Sequence, residues 1–468
     1  MKNRRNGRAG WMILAFFMIV VSSVESRSQQ KYSANWNSLD NRPVPEWFSE
    51  AKFGIFIHWG VYSVPAWAPV GKEYAVYSKY SEWYWNRMLT DSSNVGQAFR
   101  AYHNRTYGPD FRYQEFAPQF KAELFNPAEW ADLFKKSGAR YVVLTSKHHD
   151  GYALWPSSES WNWNSADIGP HRDLAGDLTA AVKASGLHMG FYYSLYEWFN
   201  PLYKSDVNKY VAQHMIPQLK DLVIRYKPDI IWPDGEWEHN SDVWKSQEFL
   251  AWLYNESPVR ESVVVNDRWG KETRGKHGGY YTTEYDIVHN EDARTKKFDH
   301  PWEECRAIGG SFGYNRNESL KDYETSDAVI HKLIEKVSRG GNLLLDIGPA
   351  ADGTIPVIMQ QRLMDIGAWL RVNGEAIYGT TGGNAGAINK TIFSTQKGND
   401  LYLLVTSQQN EPFSLDLDKR PGKVTLLGSD QKLVWSYKNG KCRFSPLNLF
   451  PNLPSGGYAW VIKLEGVR

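Results

Sequence analysis

Seven short apolar runs along the chain each end in polar, chemically capable residues. The first is Phe53–Ile57, running into His58-Trp59-Gly60, and the second is Tyr141–Leu144, running into Thr145–Asp150. The others are Met189–Ser194, Ile230–Gly235, Val263–Arg268, Tyr280–Glu284 and Leu343–Pro349. Continuous apolar runs of this length suit strands buried on both faces, as in a parallel sheet. Polar groups at their C-terminal ends match a (β/α)8 barrel, whose active site forms at that rim. The pattern therefore predicts an enzyme before any single residue is interpreted.

Amphipathic segments lie between the runs. Pro127–Ser137 stops at Gly138, Asp173–Ser185 stops at Gly186, and Ser326–Arg339 stops at Gly340-Gly341. Each reads as a helix with a glycine stop. Val207–Tyr226 is longer, and Pro217 is expected to bend it. The stretch from Trp67 to Phe116 breaks this rhythm and reads as an aromatic-rich excursion over the barrel mouth. After Tyr378 the texture changes. Gly379–Gly386 reads as a hinge, and alternating runs such as Asp400–Val405, Lys423–Leu427 and Tyr458–Ile462 predict a small antiparallel sandwich.

The expected organisation is thus a leader over 1–28, a catalytic α/β barrel over 29–378 and a C-terminal β-sandwich over 379–468. The leader is read from Lys2, Arg4, Arg5 and Arg8, the apolar stretch Trp11–Val21, and the small residues Ser22 and Ser23. Its apolar part is about half the ~20 residues a membrane-spanning helix needs, so export without an anchor is expected. The destination is periplasmic or extracellular in a bacterium, and lysosomal or secreted in a eukaryote. Basic and acidic residues number 54 and 52, which points away from nucleic acid as a partner. Cys305 and Cys442 lie far apart in the chain and read as two free, buried thiols. Asn-x-Ser/Thr sites begin at Asn104, Asn255, Asn317 and Asn389.

Composition adds 21 Trp and 27 Tyr, side chains that fill cores but also stack on the C–H faces of sugars. Among the strand-end residues, Asp234 follows an apolar run and precedes Gly235, whose missing side chain leaves room for a ligand. A carboxylate there can attack an anomeric carbon, whereas the plainer reading is a helix N-cap. His58, His148 and His149 suit either hydrogen bonds to hydroxyls or a metal site. The spaced His-x-His pair and the carboxylate set of a hydrolytic metal centre are missing, so no metal and no cofactor are expected. Arg268 either keeps a nucleophile ionised or pairs with Asp267. A second carboxyl group is needed, and Glu284 at the end of the sixth run leads, with Glu303 second. Asp286 and Glu304, like Glu303, fall in the loop expected to follow.

Long motifs around these residues resemble glycoside hydrolase family 29, the retaining α-L-fucosidases. They are Trp47–Gly60, Tyr62–Trp67, Lys147–Gly151, Trp232–Trp237, Val265–Trp269 and Asn342–Pro349, in one order from Trp36 to the C-terminus. The resemblance implies that Asp234 is the nucleophile. It also implies a fucose pocket formed by His58, Glu82, Trp83, His148, His149, Tyr192, Trp232 and Arg268. It implies fucosylated oligosaccharides or glycoconjugates as substrates and a C-terminal sandwich. The Trp232–Trp237 run and Gly457–Trp460 favour the broad-specificity branch. A homo-oligomer is compatible with this reading. The competing classes are a non-catalytic carbohydrate-binding protein and a metal-dependent hydrolase built on His148 and His149.

Overall fold

The computed structural model describes residues 1, 31–288, 291–292, 294, 298–447, 449 and 457–467. The expected leader over 1–28 lies, apart from Met1, outside these residues. Among the described residues no helix is long and apolar enough to cross a membrane.

Residues Tyr32–Arg468 form one compact unit. Its core is a ring of parallel strands: β1 (Phe53–Ile57), β2 (Tyr141–Lys147), β3 (His188–Ser194), β4 (Ile230–Asp234), β5 (Val264–Val265), β6 (Tyr281–Glu284), β7 (Trp302–Ala307) and β8 (Asn342–Ile347). Apart from β5 and β6, each pairs with the next, and β8 pairs back onto β1 through Phe53↔Leu343 to Ile57↔Ile347. The parallel bridge Asn266↔Tyr280 joins β5 to β6 and closes the barrel.

The period-two rule explains why these strands read as continuous apolar runs. One set of side chains, including Phe56, Tyr141, Val143, Tyr192, Ile230, Trp232, Val264 and Leu344, fills the barrel interior. The alternate set, including Ile55, Ile57, Val142, Leu144, Phe191, Ile231, Leu343 and Leu345, packs outward against the helices. Both faces are dry, so both are mostly apolar.

The eighth strand, β7, has no apolar run: its sequence is Trp-Glu-Glu-Cys-Arg-Ala. Glu303 and Glu304 therefore belong to a buried strand, not to the loop expected for them. Their carboxyl groups are tolerated because other strands supply partners, Tyr141 and Trp232 from across the barrel for Glu303 and Thr283 from β6 for Glu304.

The helices follow the sequence closely. Pro127–Lys136 is capped by the Asn126 side chain, which accepts from the Ala128 and Glu129 N–H groups. Leu174–Ala184 is capped by Asp173, and Ser326–Ser338 covers the third expected segment. In the long helical stretch the irregularity is a π turn, Val211–Met215, between Val207–Tyr210 and Ile216–Tyr226. It sits just upstream of Pro217, whose missing N–H and bulky ring displace the regular bonding pattern.

After the helix Val357–Asn373 come two antiparallel sheets. The larger orders Thr381–Ala387, Ile392–Lys397, Asp400–Val405, Trp460–Leu464 and Val424–Leu426. The smaller orders Phe413–Asp416, Lys441–Phe444 and Trp435–Lys438. The segment expected as a hinge is instead mostly the first of these strands. Its glycines serve close packing: a Cβ on Gly382 would meet the Ser338 carbonyl at 2.8 Å, and one on Gly383 the Ser394 hydroxyl at 2.1 Å. Cys305 and Cys442 are both free and buried.

Candidate active site

A cavity of about 290 Å³ opens at the C-terminal rim of the barrel, just under the ~300–1,000 Å³ usual for ligand pockets. Every residue expected in the fucose pocket lines it: His58 from the end of β1, His148 and His149 from β2, Tyr192 from β3, Trp232 and Asp234 from β4, and Arg268 after β5. Glu82 and Trp83 reach it from the excursion, and Glu284 from the end of β6.

Asp234 is held from two sides. Arg268 Nη1 donates to its Oδ1 at 2.6 Å, and the Tyr192 hydroxyl donates to Oδ2 at 2.9 Å. The other arm of the same guanidinium, Nη2, donates to Glu284 Oε2 at 3.2 Å, while the Tyr80 hydroxyl donates to Glu284 Oε1 at 2.9 Å. One buried arginine thus spans the two carboxylates. Burial opposes its charge, but Asp234, Glu284 and the other acidic groups around it outweigh that and hold the cation well above its ordinary range. Asp267, the other partner considered for Arg268, is occupied by the Thr282 hydroxyl at 2.7 Å and the Gly275 N–H at 2.8 Å.

The turn after Asp234 requires glycine. Gly235 has φ +76°, and a Cβ there would meet Tyr196 Cβ at 2.6 Å. The space left by its missing side chain is therefore filled by the neighbouring loop and not held open for a ligand.

The histidines are kept neutral. Burial, with repulsion from neighbouring cations and imidazoles, pushes His58, His148 and His149 well below their ordinary values. The Ser194 hydroxyl donates its one proton to the Tyr196 carbonyl at 2.5 Å, so it accepts from His149 Nδ1, also at 2.5 Å. His149 Nε2, 3.8 Å from Asp234, is consequently a bare acceptor. His58 Nδ1 is bonded to Asp346 Oδ1 at 2.7 Å. His148 Nδ1 is buried and makes no hydrogen bond within the protein. Behind this wall, the buried pair Lys147–Glu197 (2.6 Å) and the bond from the Trp198 N–H to the His149 carbonyl (2.7 Å) tie the ends of β2 and β3 together.

Glu82 is almost wholly buried and accepts from the Gly313 N–H at 2.8 Å and the Ser311 hydroxyl at 3.2 Å. Burial pushes its carboxyl up to about 7 against those hydrogen bonds. The remaining acidic candidates lie elsewhere. Glu303 sits beneath the cavity, accepting from the Tyr141 hydroxyl at 2.5 Å and Trp232 Nε1 at 2.9 Å. Glu304 bonds Thr283 and the Asp286 N–H, and Asp286 pairs with Lys336 and Arg306. None of these three lines the cavity, and each is engaged by other partners.

Several lining residues were not anticipated: Phe56, Tyr77, Tyr80, Arg87, Trp237, Arg274, Cys305 and Phe312. Most sit off the predicted strand ends. The aromatic density of residues 74–85 was the one available signal. Among the described residues no cluster of three or more His, Cys, Asp and Glu could hold a metal ion.

Comparison with known proteins agrees with this architecture. The family model described as alpha-L-fucosidase matches residues 19–375. The chain is 43% identical to the human tissue alpha-L-fucosidase, over 100% of this chain and 99% of that one. It is 47% identical to an alpha-L-fucosidase of Dictyostelium discoideum over 79% of this chain and 78% of that one. A crystal structure of Thermotoga maritima alpha-fucosidase in complex with fucose superposes with a TM-score of 0.76 at 35% identity, covering 93% of this chain and 100% of that one. With a match running through the whole barrel and a relative agreeing over its full length, the chain belongs to the α-L-fucosidase family of glycoside hydrolases.

Proposed function

We propose that the protein is an exo-acting, retaining α-L-fucosidase that removes terminal α-L-fucose from glycans through a covalent fucosyl-enzyme on Asp234. The observation that carries this reading is the Arg268 guanidinium bridging Asp234 and Glu284 across a cavity the size of one sugar. Retaining chemistry needs two carboxyl groups ~5–5.5 Å apart, one ionised to attack and one to carry a proton.

In the first half-reaction an Asp234 carboxylate oxygen bonds to C1. The bond from C1 to the glycosidic oxygen breaks as Glu284 delivers its proton to that oxygen. In the second, Glu284 takes a proton from water, the resulting hydroxide oxygen bonds to C1, and the Asp234 ester is released. Arg268 and Tyr192 each bond one oxygen of Asp234 and so fix the orientation of its carboxyl group. The bare His149 nitrogen suits a hydroxyl donor on the sugar. The broad range of linkages and export by way of the 1–28 leader are part of the same proposal.

A second carboxyl group competes for the acid role. Glu82, pushed up to about 7, has the affinity for a proton that a general acid needs near neutrality. Two donors already fix one of its oxygens, which favours a role in gripping a sugar hydroxyl. The stereochemical test is proton NMR of the first-formed product from an aryl α-L-fucoside. Retention gives α-L-fucose before mutarotation, whereas initial β-L-fucose would overturn the two-step scheme.

A further inference from the structure

The cavity has a closed floor and one open edge. His58, Glu82, His148, His149, Tyr192, Trp232 and Arg268 are all buried, whereas Trp237 is 41% exposed and Tyr77 is 38% exposed. A sugar whose C1 faces Asp234 extends away from the buried wall toward these exposed rings.

Trp237 is fixed there. It follows the nucleophile by three positions, on the far side of the Gly235 turn, and the Glu236 carbonyl beside it accepts from Trp244 Nε1 at 3.1 Å. Its ring meets His149 edge-on at 5.5 Å and lies nearly parallel to Trp83 at 6.4 Å. Arg274 lines the same cavity, and one arm of its guanidinium donates to the Thr282 carbonyl at 3.2 Å. A large, rigid indole left open to water beside a sugar-sized pocket offers a flat, electron-rich face to the C–H groups of a pyranose.

We infer that Trp237 is the platform of a second subsite that stacks the pyranose to which the terminal fucose is attached. The ligand class is therefore a fucosylated oligosaccharide engaged through two rings, not fucose alone. This rests on the fucosidase reading of the inner pocket, and two substrates separate them. α-L-Fucosyl fluoride has no second sugar, so wild-type hydrolysis of it reports on the inner pocket alone. A fucosyl-galactose disaccharide needs both subsites.

Trp237→Ala is expected to lower kcat/KM for the disaccharide at least ten-fold more than for the fluoride, with Trp237→Phe recovering most of the difference. Equal losses on the two substrates, or no selective loss on the disaccharide, would overturn the assignment. Saturation-transfer NMR of the disaccharide on the Glu284→Ala protein gives an answer that does not depend on how a Trp237 variant folds. Strong transfer to the C–H groups of the galactose ring supports the platform, and transfer confined to fucose refutes it.

Discussion

Glu284 and Glu303 stand on adjacent parallel strands, both turned into the barrel, and they differ chiefly in height. The register pairs Glu284 with Cys305, placing Glu303 two residues lower, roughly 7 Å at the strand's rise per residue. At the rim, Glu284 is partly open, touches the cavity and shares Arg268 with Asp234. At the floor, Glu303 is sealed under Trp232 and is pushed up to about 7, chiefly by burial, while Tyr141, Trp232 and Tyr280 partly offset the shift. Under the proposed mechanism, the same side chain serves chemistry at one level and packing at the other. What separates the roles is access to a substrate and to a charge partner, not residue type.

The sharpest break in that comparison comes from removing each glutamate in turn. Glu284→Ala should lower turnover of substrates with poor leaving groups by ~10²–10⁴-fold, the usual contribution of a general acid. Aryl fucosides with good leaving groups should suffer much less in the glycosylation step. Comparing kcat/KM across a leaving-group series checks this, with Glu82→Ala as the control for the competing acid. If the steep leaving-group dependence appears in the Glu82 variant instead, the acid has been assigned to the wrong carboxyl.

A smaller effect sharpens the floor side. A folded-state carboxyl raised to about 7 stays neutral below its unfolded value, where its contribution to stability is intact, and loses that contribution as pH rises through about 7. Glu303→Gln replaces the titrating group with a neutral one. The melting temperature of the variant relative to wild type should therefore become more favourable between pH 5 and pH 8, by a few degrees. A difference that stays flat over this range would mean that folding does not raise the Glu303 carboxyl above its unfolded value.

The same contrast explains what the sequence could and could not show. Strands β1 to β5 and β8 are legible because both their faces meet mostly apolar neighbours, which favours an apolar run, while β6 is marked by the tyrosines that lead into Thr282, Thr283 and Glu284. β7 is not, since Glu303, Glu304 and Arg306 depend on partners such as Tyr141, Trp232 and Thr283 that come from distant parts of the chain. The rim residues Asp234, His148, His149 and Arg268 follow directly from where the apolar runs stop. Tyr77, Tyr80 and Arg87 ride on the excursion, and Glu82 is fixed by Gly313 from 231 residues away, so their convergence on the cavity is a product of tertiary folding. Gly235 was legible as a special position, but its neighbour Tyr196 could be identified only once the chain was folded.

The most direct test of the account asks which atom the sugar bonds to during turnover. Incubation with a 2-deoxy-2-fluoro-fucosyl fluoride, followed by proteolysis and mass spectrometry, should place the label on the peptide carrying Trp232-Pro233-Asp234-Gly235, with fragmentation assigning it to Asp234. A label on Glu284, Glu82 or any other side chain, or rapid turnover of that sugar with no adduct ever detected, would contradict it.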